Sequence, residues 1–450
     1  MTAQAVDAIV IGSGQGGVPF AADLAREGKQ VVLFERGRLG GSCINYGCTP
    51  SKAFLAAAHS AGRARRAQVL GVDAQVHVDF PAVMERVRMI RDDFMHRVGQ
   101  RLEQAGVKVV HAQASFSGER TVTGGDRTFT APLVVIDTGT TAFVPGIDGL
   151  AGTPYLTNET FFDLTALPRR LLVLGGGYIG LELGQGMARA GAEVHIVDRN
   201  ARVLSREEPE ASTALESSLH EDGVYLHLGP QVSRVEHSAQ GFALTLDTGQ
   251  RLEGDALLVA IGRTPNSGAL DCAAGGVELD AQGMIVTDRQ LRTTAAGVYA
   301  IGDVAGQPAF THVSWEDYRR LKDITAGGTR TRDDRVLAYT TFTEPQVARV
   351  GFTLDEALAK DFDARCVTYE ASWIARAIEW GQTSGFYRLV VDKKTDRILG
   401  ATMVGYEAGE LIHVILAHME AGSTWQVLER SVHIHPTYAE ALPSLARMLA

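Results

Sequence analysis

VDAIVIGSGQGGVPFAADLAREGKQVVLFE, residues 6–35, is the stretch whose reading decides the fold. Val6, Ala8, Ile9, Val10 and Ile11 form a run suited to a buried strand, and Gly12, Gly14 and Gly17 follow at GxGxxG spacing. Val18 to Glu27 then has the pattern of a helix, and Gln30 to Phe34 reads as a second strand ending at Glu35. In this context the glycines let the backbone approach a pyrophosphate at a helix N-terminus, and the terminal carboxylate accepts from a ribose hydroxyl. Without the flanking strands the glycine spacing would be weak evidence.

The pattern occurs twice. Leu171 to Leu174 is another strand, Gly175, Gly177 and Gly180 repeat the spacing, Leu181 to Arg189 is helix-like, and Glu193 to Val197 leads to Asp198. In both copies the acidic residue lies 18 positions after the third glycine. Two such units imply two dinucleotides and an α/β fold with two Rossmann-like domains. A chain of 450 residues exceeds what one core organises, so two to four domains are expected. Leu133 to Gly139 and Leu257 to Gly262 are apolar strands ending in glycine that would close the two units. Val298 to Val304 reads as a strand running into Gly302 and Asp303, where an apolar strand ending in Gly-Asp points to a close ligand. Phe80 to Ala105 reads as a long, charged helix, exposed or edge-packed, serving as scaffold. From about Tyr339 the texture changes. Thr340 to Val350, Gly385 to Val391 and Ile398 to Val404 read as strands, and Ala408 to Ala421 and Trp425 to Glu429 as helices, making an α+β module without a glycine loop.

Composition limits the function classes. Hydrophobic residues at 45% and charged residues at 21% describe an ordered globular chain. A net charge of −10 argues against a nucleic-acid partner, and the basic run Arg63 to Arg66 reads as a solvated helix face. The apolar run Val6 to Ile11 is too short for a signal peptide and no stretch is long enough to span a bilayer, so no membrane role and a cytoplasmic location are expected. Four cysteines without a scattered framework suit a reducing compartment.

Two of those cysteines lie in GGSCINYGCTPSK, residues 40–52. Four residues separate Cys43 from Cys48. On an ideal helix that offset leaves the sulfurs far apart, so a bond between them needs Cys43 in an irregular first turn, which Gly40 and Gly41 permit. The loop so closed is tiny, which makes a poor staple and a suitable redox switch. A zinc site would need a second pair at ligand spacing, and Cys272 and Cys366 are isolated, so no metal site is expected.

This run resembles the active-site signature of the pyridine nucleotide-disulfide oxidoreductases, the flavoenzyme family of glutathione reductase, dihydrolipoamide dehydrogenase and mercuric reductase. The resemblance extends from Val6 to Leu449 and implies a discontinuous FAD-binding domain (1–145 and 265–330), an NAD(P)-binding domain (146–264) and a C-terminal α+β dimerisation domain (335–450). It implies FAD contacts at Gly12, Gly14, Gly17, Glu35, Gly41, Ser42, Lys52, Ala114, Thr138, Gly139, Gly302 and Asp303. It implies NAD(P)H contacts at Gly175, Gly177, Tyr178, Gly180, Asp198, Arg199 and Gly262, with Tyr178 covering the nicotinamide face of the flavin. Cys48 would be the flavin-proximal thiol that forms the charge-transfer thiolate, and Cys43 the thiol that attacks the substrate. Lys52 would approach flavin N5 with Glu182 as its ion-pair partner. Ser431 to Glu440, containing HPTxxE, resembles the family's acid-base segment, in which His435 faces the disulfide of the neighbouring subunit and Glu440 orients its ring. That arrangement implies a homodimer with a shared site.

Asp198 at the ribose position favours NADH, while Arg199 and Arg202 keep NADPH open. PYLTNE at 154–159 and FTHVSWEDY at 310–318 look closest to a mercuric reductase-like subgroup that includes hypothiocyanous acid reductases. Mercuric reductase proper carries a C-terminal cysteine pair, whereas this chain ends PSLARMLA and keeps His435, which counts against mercury as its substrate. The expected activity is transfer of electrons from NAD(P)H through FAD and Cys43–Cys48 to a small disulfide or other thiol-reactive electrophile, hypothiocyanous acid or a metal ion among them. Dihydrolipoamide dehydrogenase is the alternative within the family. A flavin-dependent quinone reductase or oxidase, or a non-enzymatic redox sensor, are alternatives outside it. His312 and His433 read as packed or pocket-lining side chains.

Overall fold

The computed structural model describes residues 3–450. Its first layer is a five-stranded parallel sheet in the order Val298–Ala300, Leu133–Ile136, Ala8–Ile11, Val31–Glu35, Lys108–His111. Every residue of Ala8–Ile11 is buried, as a central parallel strand covered on both faces requires. Helix α1 (Gly17–Arg26) crosses from this strand to Val31–Glu35, so the first glycine loop leaves the carboxyl edge of the sheet. Helices α2 (Gly41–Asn45), α3 (Cys48–Arg66) and α4 (Phe80–Ala105) follow. Asp79 caps α4 by accepting from Ala82 N, and Gly106 ends it in the left-handed region. Its burial is confined to one stripe, as expected of an edge-packed scaffold.

The second parallel sheet runs Val224–Leu228, Glu193–Asp198, Arg170–Leu174, Ala256–Val259. Helix α5 (Tyr178–Ala190) leaves its carboxyl edge and α6 (Pro209–Glu221) follows, so the strand–loop–helix–strand unit is repeated. Helix α7 (Thr311–Thr325) returns toward the first sheet. The C-terminal part is an antiparallel sheet ordered Ala338–Thr341, Gln346–Gly351, Ile398–Gly405, Phe386–Asp392, Ala364–Glu370, covered by the helices Ala408–Glu420, Trp425–Glu429 and Ala441–Arg447.

Three local expectations are corrected. Cys43 does not sit in the first turn of the helix that carries Cys48. The buried Asn45 donates its side-chain amide to Leu39 O and Gly41 O, which closes α2 as a separate turn; Tyr46 and Gly47 leave helical geometry, and Cys48 opens α3. Thr340 to Val350 is a hairpin and not one strand. Pro345 lacks the N–H a ladder needs, and the Glu344 N–H and C=O bond instead to the Gln185 side chain. The strand at Val298 stops at Ala300, because Gly302 takes a φ of +66° and gives its N–H to the Asp317 carboxylate.

Helix α3 lies against α5 through small residues, and this sets how the cysteine-bearing helix meets Glu182. A Cβ on Gly186 would stand 2.5 Å from Cε1 of the fully buried Phe54. Gly186→Ala is therefore expected to destabilise the protein by about 1–3 kcal/mol, since a closed core cannot absorb the methyl. A thermal midpoint unchanged from wild type would show that the two helices have slack.

Candidate active site

A cavity of about 1050 Å³ opens where the first sheet, α3, α7 and the C-terminal sheet meet. Gly12, Gly14, Glu35, Gly41, Ser42, Cys43, Cys48, Lys52, Ala114, Thr138, Gly139, Tyr178, Glu182 and Asp303 all line it. Sequence positions scattered over most of the chain are thus brought to one space.

The glycines fit a nucleotide. Gly12 (φ +102°) and Gly175 (φ +112°) each adopt a left-handed conformation in which a Cβ would drive into a backbone carbonyl, of Asp137 and of Ala260 respectively. Gly17 and Gly180 in turn sit against the carbonyls of Gly12 and Gly175. Both loops therefore hold the tight turn that brings backbone N–H groups to a phosphate. The acidic residues are held alike. Glu35 Oε2 accepts from Ser13 N (3.0 Å) and Ser13 Oγ (2.6 Å), and Oε1 from Gly37 N (2.8 Å). Asp198 Oδ2 accepts from Gly176 N (2.6 Å), and Oδ1 from Asn200 N (2.8 Å). Gly175, Gly177, Gly180, Asp198, Arg199 and Gly262 form the second loop and its surroundings, outside the lining of the large cavity.

At the inner end, Lys52 Nζ donates to Glu182 Oε2 (2.8 Å), whose other oxygen accepts from Phe342 N (2.9 Å). The ammonium also lies 4.4 Å from the centre of the Phe342 ring. Glu182 is 3% exposed, so its charge is committed to these partners. Asp303 Oδ2 accepts from Thr140 Oγ1 (2.8 Å), with Arg263 Nε at 3.8 Å.

Cys43 and Cys48 stand as free thiols, and both line the cavity. Cys48 is exposed, at the N-terminus of the 19-residue α3. The neighbouring Cys43 thiol draws the Cys48 thiol down to about 6; burial opposes this, and the Thr311 hydroxyl and the Lys52 charge assist it. Cys48 in turn, with burial, pushes the Cys43 thiol up. The two shifts run in opposite directions and make Cys48 the more acidic thiol of the pair.

Thr311 was not legible from the sequence: its Oγ1 lies 3.0 Å from Cys48 Sγ, and it opens α7. A hydrogen bond to a charged acceptor contributes about 1.5–3 kcal/mol, so Thr311→Ala is expected to raise the Cys48 pKa by about one to two units. Thr311→Ser should restore it. A pH titration of thiolate absorbance in the dithiol enzyme reads the shift, and equal titration curves for wild type and Thr311→Ala would remove Thr311 from the site.

His435 and Glu440 are not in the cavity. They form a dyad (Nδ1···Oε2 2.7 Å) on the C-terminal part, with the imidazole 74% exposed. His312 lines the cavity, stacked on Phe310, and burial lowers its pKa; His433 bonds to Ser431 Oγ. Among the described residues no helix is long and apolar enough to cross a membrane.

A nucleotide loop that shares its cavity with a cysteine pair, and a second such loop further along the chain, define a flavin- and pyridine nucleotide-dependent disulfide reductase. Residues 6–317 match the pyridine nucleotide-disulphide oxidoreductase family and residues 337–446 match its dimerisation domain, and the chain belongs to that family. The family binds FAD and uses NAD(P)H. The chain is 32% identical to the probable pyridine nucleotide-disulfide oxidoreductase RclA of Escherichia coli, over 97% of this chain and 98% of that one. It is 34% identical to a mercuric reductase of Streptomyces lividans (98% and 95% covered) and 31% identical to a dihydrolipoyl dehydrogenase of Halobacterium salinarum (97% and 94%). Among solved structures, the Cu(II) complex of the HOCl-induced flavoprotein disulfide reductase RclA from Escherichia coli superposes with a TM-score of 0.91 at 30% identity, covering all of both chains.

Proposed function

We propose that this chain is an NADH-preferring, FAD-dependent reductase in which Cys43 and Cys48 carry electrons to a small disulfide or another thiol-reactive electrophile. The observation that carries the reading is the pair of free thiols on the wall of the cavity that also bears the first glycine loop. Residues 1–145 with 265–330 would hold FAD, 146–264 NAD(P)H, and 335–450 the contact between two subunits of a cytoplasmic homodimer. FAD, when bound, supplies hydride acceptance from the nicotinamide and delivery of the electron pair to a disulfide.

The chain's own residues do the rest. The Cys43 thiol gives up its proton and its sulfur attacks one sulfur of the acceptor disulfide, forming a mixed disulfide and expelling the first thiolate. The Cys48 thiolate then attacks Cys43 Sγ, expels the second thiolate and closes Cys43–Cys48, so two electrons leave on two product sulfurs. His435, oriented by Glu440, takes the proton from Cys43 and returns it to the first leaving thiolate; in the dimer each subunit's dyad serves the other's cysteines, in keeping with its exposure on one chain. Lys52, fixed by Glu182, places a positive charge beside the flavin seat, and Tyr178 covers it until the nicotinamide arrives. Asp198, with both oxygens already engaged by N–H groups, presents an anion where a 2′-phosphate would lie, which supports NADH over NADPH.

A dithiol of this kind also suits soft metal ions, and relatives include mercuric reductases and an RclA solved with Cu(II). Lipoamide, glutathione disulfide, hypothiocyanous acid, Hg(II) and Cu(II), each assayed with NADH and NADPH, form the test. At least one should turn over with kcat/KM about tenfold or more higher for NADH, given charge repulsion at Asp198. Turnover of quinones alone, undiminished in Cys43→Ser, would replace this reading with that of a quinone reductase.

A further inference from the structure

The first nucleotide unit carries a buried carboxylate that the second lacks. In each unit the first loop glycine presses on the carbonyl of the residue just past the end of the neighbouring parallel strand, Asp137 for Gly12 and Ala260 for Gly175. The backbones match, but one side chain is a carboxylic acid and the other a methyl. Asp137 is 6% exposed and lines the large cavity with Gly14, Glu35 and Asp303. Its Oδ2 accepts from Gly17 N at 2.6 Å, and its Oδ1 has only Ser314 Oγ at 3.4 Å. Gly16, at the N-cap of α1, offers no side chain, so Asp137 caps the helix from 120 residues away.

The charged groups facing it are of the same sign. Asp303 stands on the turn that follows the strand Val298–Ala300, with Arg263 beside it, and Asp317 on α7 is paired with Arg335, so both nearby arginines are committed elsewhere. Burial first, then Asp303 and Asp317, push the Asp137 carboxyl up to about 8, against the Gly17 N–H and the Ser314 hydroxyl. A diphosphate drawn to the N-terminus of α1 adds further negative charge beside this carboxyl.

We propose that Asp137 is a cofactor-binding residue that meets FAD in its protonated form, so that where the empty site is ionised the chain takes up one proton from solvent together with the diphosphate. Oδ1, the oxygen not held by Gly17 N–H, carries that proton. The proposal rests on the FAD seat described above. Its consequence is that FAD affinity is flat below about pH 8 and weakens toward about tenfold per pH unit above it, the slope of one linked proton.

The test is dilution of holoenzyme across about pH 6.5 to 9.5, with released FAD read by its fluorescence, for wild type, Asp137→Asn and Asp137→Ala, the last giving the first unit the side chain found in the second. Wild type should show the slope and either variant that retains flavin should lose it. Infrared difference spectra of wild-type holoenzyme should contain the carbonyl band of a protonated carboxylic acid near neutral pH. Equal pH dependence in wild type and a variant, a flat wild-type profile, or absence of that band overturns the proposal. Wild type that binds no FAD at any pH would instead overturn the reading of the cavity itself.

Discussion

Cys43→Ser is expected to lower kcat/KM for a disulfide acceptor by at least about a thousandfold, because it removes the sulfur proposed to attack the acceptor and an alcohol cannot take part in thiol–disulfide exchange. The rest of the cavity is untouched by the change. Cys48 keeps its place at the N-terminus of α3 and its contact with Thr311. Reduction of bound flavin by NADH should therefore proceed at close to the wild-type rate, and stopped-flow traces of flavin bleaching separate the two half-reactions. The variant should also shift the remaining thiol. Cys48 loses the neighbouring thiol that most lowers its pKa, so its titration should move up. A variant with near-normal disulfide turnover would show that electrons leave by another route.

Arg189 is expected to dominate stability. It is 1% exposed, and its Nε donates to Asp222 Oδ2 (2.8 Å) while Nη1 meets Glu344 Oε2 and His59 Nδ1 (2.9 Å). Through these partners α3, α5, the end of α6 and the first hairpin of the C-terminal sheet are tied at one point. Arg189→Met would leave two buried carboxylates with weakened compensation, costing about 3–5 kcal/mol. Denaturant midpoints of the holoenzymes check this, and a loss below about 1 kcal/mol would show that Arg63 and Arg66 suffice for Glu344 and Asp222. The same cluster sets the acid limb. Burial would raise the Glu344 carboxyl, but Arg189, His59 and Arg63 outweigh it and hold it below its usual value; burial lowers the His59 imidazole. Both groups bind fewer protons folded than unfolded, so stability falls with pH, first below the ordinary histidine value of 6.5 and then below the carboxylate value of 4.5.

Much of the site could be read from the sequence because its signals are local. The two glycine loops are fixed by spacing and by the sharp turns after Ile11 and Leu174, and His435 and Glu440 sit five residues apart in one segment. Cys43, Cys48 and Lys52 likewise fall within one short stretch. What was missed joins residues far apart in the chain: Cys48 to Thr311, Gly17 to Asp137, Arg189 to Glu344. A lone threonine, aspartate or arginine has no periodicity to announce it, and only the packing of α7, α1 and α5 gives each its partner. The separate turn of Cys43 was missed for a related reason. Asn45 ends α2 by bonding back to Leu39 and Gly41, and an asparagine four residues after a glycine does not by itself reveal that bond.

Anaerobic titration of the purified flavoprotein with NADH tests the central claim most directly, since it asks whether the electron pair rests on Cys43 and Cys48 beside the flavin. After two electrons, wild type should show long-wavelength absorption from a Cys48 thiolate against oxidised flavin, and Cys48→Ser should bleach without it. Identical spectra for the two proteins would contradict the account.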